Sequence, residues 1–290
     1  MLAFRSLNNP TSHHLMQAIA TTHNTLPCIR LSHEGATALV ALYGAHVLSW
    51  IPADNRERLF LSERARFEGK AAIRGGVPVI FPQFSERGTG MRHGFARVLP
   101  WRFTGVENEH AVFELRNDER TTHWPHAFIA RLLVSLSATA LELTLAVENT
   151  GDSAFEFTTA LHTYLRVDAL EDAAVTGLQG CDYEDSAAGG VLRREGNYEV
   201  RFDGEVDRIY NDVVAPLTLA DGTGELSIEQ EGFTDAVVWN PGAALAVAIG
   251  DLIPDDYRRF VCIEAATVLQ PQVLVPGEHW SGTQRLRAIR

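Results

Sequence analysis

At 290 residues, 46% hydrophobic and 21% charged, the chain carries enough apolar side chain for a large core and reads as globular rather than disordered. A formal net charge of −12 excludes a general binder of nucleic acid or acidic membrane, so any anionic ligand has to be caught locally by a few placed arginines. Cys28, Cys181 and Cys262 are odd in number, far apart and without a CxxC pair, which argues against a disulfide framework or a zinc ribbon and for a reducing compartment.

In chain order, residues 1–24 are polar and His-rich, with no apolar stretch long enough for a signal peptide. They read as a flexible segment ahead of a single domain over 25–290. No later segment approaches the length of a membrane span, and the expected location is cytoplasmic. The adjacent His13 and His14 fall short of the three or four ordered ligands that a metal site needs. "GATALVALYGAHVLSWI" is strand-like, and brief helical periodicity follows at Leu61 to Phe67. Then "AIRGGVPVIFPQF" sets Arg74 before two glycines and threads two prolines through β-formers, which is no ordinary central strand. In "MRHGFARVLPW", His93 and Arg97 flank a glycine. "ARLLVSLSATALELTLAVENTG" is a hairpin turning near Ala138 to Ala140, with Leu141, Leu143, Leu145 and Val147 on one face.

Polar groups sit inside two of the later strands. In "TALHTYLRV", Leu161, Thr163, Leu165 and Val167 share one face, leaving His162, Tyr164 and Arg166 on the other. In "RRFVCIEAATV", Val261, Ile263 and Ala265 oppose Phe260, Cys262 and Glu264. Glu264 is therefore a carboxyl among apolar neighbours, where burial raises its pKa unless donors or a cation compensate. Alternation alone leaves it open whether His162 is a hydrogen-bonded core histidine and Glu264 an ion-pair partner, or whether they are an acid and a base. Many short strands bounded by Gly, Pro, Asn and Asp, with no regular helical crossovers, no linker and no fixed repeat, give an all-β antiparallel sandwich or barrel.

The order Arg-Gly-Gly-x-Pro at Arg74, His-Gly-Phe-Ala-Arg at His93 to Arg97, a strand histidine at His162 and a late-strand glutamate at Glu264 resembles the hexose-6-phosphate mutarotases. They are the glucose-6-phosphate 1-epimerase branch of the aldose 1-epimerase superfamily. "VDRIYND", "VVWNP", "FVCIEAATV" and "VPGEHWSGTQ" extend the resemblance from about Arg30 to Arg290. It implies a large antiparallel β-sandwich of the galactose-mutarotase type, with the substrate on one concave sheet face. It also implies that His162 and Glu264 are the catalytic pair, that Arg74 and Arg97 hold phosphate and sugar, that Asp207 lines the site, and that His93 contacts substrate hydroxyls. Arg92 stands where some members carry Gln or a small residue, and either adds to the anion site or is solvated.

Anomer exchange needs a proton delivered to the ring oxygen and another taken from the anomeric hydroxyl, which suits His162 as acid and Glu264 as base. No metal or other cofactor is expected, and the partner expected is a small sugar phosphate met by a monomer. Arg74 would meet phosphate with its guanidinium fork, with Gly75 and Gly76 letting the backbone approach the ligand. Three rivals stay open. One is a mutarotase for unphosphorylated aldoses, and another is a non-catalytic carbohydrate-binding sandwich using Trp50, Trp101, Trp239 and Trp280 as platforms. The third, a metal-dependent cupin-like enzyme, lacks the close His-x-His spacing.

Overall fold

The computed structural model describes residues 15–289 and consists of three antiparallel sheets. A four-stranded sheet runs in chain order through Gln17–His23, Leu26–His33, Ala36–Ala41 and His46–Ile51. A nine-stranded sheet runs from Glu199–Val200 through Ala174–Thr176, Leu217–Ala220, Glu225–Glu231, His279–Ala288, Ala140–Asn149, Phe128–Leu136 and His110–Arg116 to Arg102–Glu107. An eight-stranded sheet carries the site. Its path is Val191–Arg194, Asp182–Asp185, Val206–Tyr210, Asp235–Asn240, Phe260–Leu274, Phe155–Leu161 and Val79–Ile80, with Tyr164–Arg166 also pairing with Phe260–Leu274.

The alternation seen in the sequence closes the sandwich. Leu141, Leu143, Leu145 and Val147 are fully buried, and they share one core with Leu161, Leu165, Val261, Ile263 and Ala265 of the eight-stranded sheet. Each side chain buried in this way contributes about 1.5–3 kcal/mol, an upper figure because unfolded chains are already partly collapsed. The hairpin turns where expected, with Leu136 opposite Leu141 and the Ser137 amide donating to the Ala140 carbonyl at 2.9 Å.

Two expectations are corrected. Gln17–His23 is not part of a flexible segment but an edge strand paired residue by residue with Leu26–His33, turning through Asn24 at φ 51°. Its side chains are mostly exposed or half-buried, so its polar composition hid it. Residues 1–14, with His13 and His14, lie outside the described residues. Leu61 to Phe67 is not helical: Ser62 Oγ accepts from the Arg64 amide and its carbonyl accepts from Ala65, which closes a turn. Among the described residues Gly242–Ala246 is the α-helix, and no helix is long and apolar enough to cross a membrane.

Candidate active site

Strand register assembles the site. Leu161 pairs with Ala265 and Tyr164 with Cys262, so the intervening His162 stands opposite Glu264. Glu264 in turn pairs with Val237, and Val237 with Ile209, which makes one row across the outer face of the eight-stranded sheet. The next row is Tyr164, Cys262, Trp239 and Asp207. Both rows, apart from the fully buried Cys262, floor a cleft of about 580 Å3, which Arg74, Arg92, His93 and Arg97 also line. His162 and Glu264, 102 positions apart, are thus neighbours because they share a line of cross-strand pairs.

His162 sits at a break between two short strands, and the break is held from below. Its amide donates to the Pro78 carbonyl, and the next residue, Thr163, donates its hydroxyl to Gln284 Oε1 at 2.5 Å inside the core. Gln284 then donates to the Ile263 carbonyl. The imidazole stacks on Tyr164 with ring centroids 4.9 Å apart and meets the Trp239 and His93 rings edge-on.

His162 is 8% exposed and Glu264 1%, with His162 Nδ1 3.2 Å from Glu264 Oε1. The contact is close in distance but off the line of a hydrogen bond, and Nδ1 and Glu264 Oε2 are buried without a hydrogen-bond partner among the described residues. A charged pair at this distance would raise the histidine's pKa and lower the glutamate's. Burial outweighs that attraction: it pushes the His162 imidazole well below its ordinary value, helped by His93, Arg74 and Arg97, and pushes the Glu264 carboxyl well above its own. Burial thus favours the uncharged form of each partner.

The neighbours are just as unequal. His93, at φ 63°, accepts at Nδ1 from the Ser85 amide, so its remaining ring proton is on Nε2. Burial and the three arginines hold its pKa down at about 3. Arg74 is anchored: Nε donates to Asp251 Oδ1 at 3.0 Å and Nη1 to the Tyr164 hydroxyl at 2.8 Å. Arg97 is not. Its Nη2 donates to the Arg92 carbonyl, its Nε is buried without a partner, and among the described residues no carboxylate stands within ion-pair distance of it. Burial and the other two arginines bring its pKa down to about 10. Arg92 is exposed. Asp207 lies at the far end of its row from the Tyr164–Arg74 contact, and burial with Glu205, Asp185 and Glu184 lifts its pKa to about 6 against the pull of Arg92. The cleft is thus basic at one end and acidic at the other.

The glycines of Arg-Gly-Gly and His-Gly-Phe are required by packing, which for Gly75 and Gly76 is a reason other than the expected approach to a ligand. A Cβ on Gly75 would stand 2.3 Å from the Phe60 carbonyl oxygen, one on Gly76 2.3 Å from that of Val47, and one on Gly94 2.1 Å from that of Phe81. All three have positive φ.

The aldose 1-epimerase family model matches residues 27–287 of this chain. The chain belongs to that family. It is accordingly an isomerase. Two curated relatives named "Putative glucose-6-phosphate 1-epimerase" match most of their own length. The one from Cenchrus ciliaris is 34% identical over 270 residues, 87% of this chain and 81% of the relative. The one from Salmonella typhimurium is 36% identical over 261 residues, 85% of each. A crystal structure described as a "putative mutarotase (YeaD)" from Salmonella typhimurium superposes with a TM-score of 0.85 at 29% identity, covering 96% of this chain and 95% of that one. The family's galactose-mutarotase sandwich is the fold described above.

As an epimerase-family chain, the protein departs from the other readings in specific side chains. Trp50 and Trp101 are buried in the core and Trp280 packs on Phe157 and Phe233, so of the four tryptophans expected as sugar platforms only Trp239 lines the cleft. Arg166 does not join His162 and Tyr164 there. It lines a separate concavity with Arg56, Arg58 and Asp168. No group of three or more His, Cys, Asp or Glu side chains that could hold a metal is found among the described residues. Asp251, on a turn 177 positions from Arg74, carries no sequence motif that would have marked it.

Proposed function

We propose that the chain interconverts the α and β anomers of a hexose 6-phosphate, glucose 6-phosphate first among them, by acid–base ring opening at His162 and Glu264. The observation that carries the reading is Arg97, a half-buried guanidinium with no carboxylate partner among the described residues, beside a buried His–Glu pair. A phosphate dianion supplies what Arg97 lacks, through charge-assisted hydrogen bonds. The names of the two relatives agree with this substrate.

In the working state Glu264 is a carboxylate and His162 an imidazolium. Glu264 takes the proton of the anomeric hydroxyl while the bond between C1 and the ring oxygen breaks and His162 protonates that oxygen. The open-chain aldehyde turns about C1–C2. The freed hydroxyl then attacks the other face of C1, Glu264 returns its proton to the carbonyl oxygen, and His162 recovers the one it gave. Each group contributes roughly 10²–10⁴-fold.

Burial favours the proton on Glu264 and disfavours it on His162, so the working state calls for its transfer over 3.2 Å. Phosphate arriving at Arg74 and Arg97 cancels part of the positive field that disfavours the imidazolium, and so the substrate's own charge drives that transfer. His93, neutral with a proton on Nε2, is a donor to sugar hydroxyls, and Asp207 an acceptor at the other end. Arg92, exposed at the rim, adds long-range attraction.

Arg74's pairing with Asp251 favours a second reading, a mutarotase for unphosphorylated aldoses. One experiment separates the two: NMR exchange rates of glucose and glucose 6-phosphate anomers with the wild type and Arg97→Ala. Catalysis that favours the phosphate ester, with the preference falling at least tenfold in the variant, is expected. Equal catalysis of both sugars by the wild type would reject the phosphate substrate.

A further inference from the structure

Arg74 is restrained more tightly than a phosphate receptor needs to be. Its Nε is held by Asp251 and its Nη1 by the Tyr164 hydroxyl, leaving Nη2 without a hydrogen-bond partner among the described residues. A carboxylate lying along this edge can take both Nε and Nη2. Asp251 takes Nε alone. The turn that presents it is itself fixed: the next residue, Leu252, is buried with Phe60, Tyr164, Phe260 and Cys262. Beyond it the Ile253 amide donates to Asp256, which also accepts from Ser62. Asp251 therefore meets Arg74 from a seat it cannot easily leave, and a ligand at Arg74 finds a carboxylate already in place behind it.

We propose that Asp251 is a positioning and specificity residue: it aims the free Nη2 of Arg74 into the cleft and keeps one negative charge beside the bound phosphate, so that the ester is held in register yet leaves quickly. This rests on the hexose phosphate reading above. Two arginines with no counterion would bind a dianion tightly enough to slow its release, and binding shared equally by ground and transition state adds nothing to turnover. Arg97 supplies the attraction, and Asp251 with Tyr164 converts Arg74 into a directional contact of moderated strength. The carboxylate serves both ends, since its hydrogen bond orients and its charge weakens.

The two contributions separate in two variants. Asp251→Asn keeps an acceptor oxygen for Nε and removes the charge, whereas Asp251→Ala removes both. With inorganic phosphate as the calorimetric probe at 0.1 M ionic strength, Asp251→Asn is expected to bind about fivefold more tightly than wild type, the scale of one partly screened charge a few ångströms away. KM for glucose 6-phosphate falls by a similar factor with no rise in kcat, so the ratio of its KM to that of glucose falls too. Asp251→Ala, with Arg74 unaimed, gains less in phosphate binding than Asp251→Asn and has the higher KM for the ester. Phosphate binding and KM ratio at the wild-type level in Asp251→Asn would overturn the role of Asp251 while leaving the substrate standing. A wild type that neither binds phosphate nor prefers the ester would overturn the substrate, and this inference with it.

Discussion

The proposed working pair, a carboxylate and an imidazolium, has one titratable proton between its members, and its behaviour with pH follows from that count. Burial lowers the affinity of His162 for a proton and strengthens the hold of Glu264 on one, so the pair resists both gaining a second proton and losing its single one. The rate is therefore expected to be bell-shaped with a broad top, its acid limb set by uptake of the second proton and its alkaline limb by loss of the first, both belonging to the pair. Glu264→Gln and His162→Asn each lose most of the catalysed exchange while still binding glucose 6-phosphate by calorimetry, and the double variant loses much less than the product of the two losses. Near-wild-type exchange in either single variant would refute the pair. His162 and Glu264 were legible in the sequence because alternation forces each onto the face opposite its apolar neighbours. Which of them holds the proton was not, since that depends on burial and on three arginines brought in from other segments.

The element that places the proposed acid is a strand interrupted for two residues, His162 and Thr163, between Phe155–Leu161 and Tyr164–Arg166. Its pairing with Phe260–Leu274 keeps one register on both sides of the gap, so the break turns a side chain without shifting the row. What fills the gap is the Thr163–Gln284 bond, a buried link between the two large sheets. Thr163→Val keeps the shape and strands the Gln284 oxygen, which costs about 1–3 kcal/mol. Urea unfolding is expected to show that loss, and anomer exchange to fall further than in a core variant of equal stability cost, because His162 loses its support. Exchange that tracks stability alone would remove the positioning role. The hairpin at 128–149 was readable from its period of two, yet this link was not, because Thr163 and Gln284 are 121 positions apart. The helix expected at Leu61 to Phe67 failed for a local reason, a serine that captures backbone groups in a turn.

At the scale of the molecule, the three sheets bury not only the histidine proposed as the acid but a structural one. His46 is 0% exposed, and its Nε2 donates to the Gly75 carbonyl at 2.7 Å, pinning the segment that carries Arg74. Burial lowers its pKa to about 4, with Arg97 acting in the same direction and the Gly75 bond opposing. The folded state thus keeps His46 neutral at pH values where the unfolded chain, near 6.5, takes up a proton. A depressed histidine contributes stability that is fully present above the unfolded value and is lost as pH falls towards the folded one. Between pH 7.5 and pH 5 that loss is about 2 kcal/mol from this residue. Buried acids pull the other way: Asp207, lifted to about 6, gives stability below its unfolded value that is lost as pH rises through 6. The total slope therefore mixes several groups, and the variant isolates one. His46→Asn is less stable than wild type at pH 7.5, but its loss on going to pH 5 should be smaller by about 2 kcal/mol in urea unfolding. Equal losses in the two proteins would show that His46 takes up its proton without unfolding, and that the support beneath Arg74 is looser than a fully buried imidazole on a carbonyl oxygen implies.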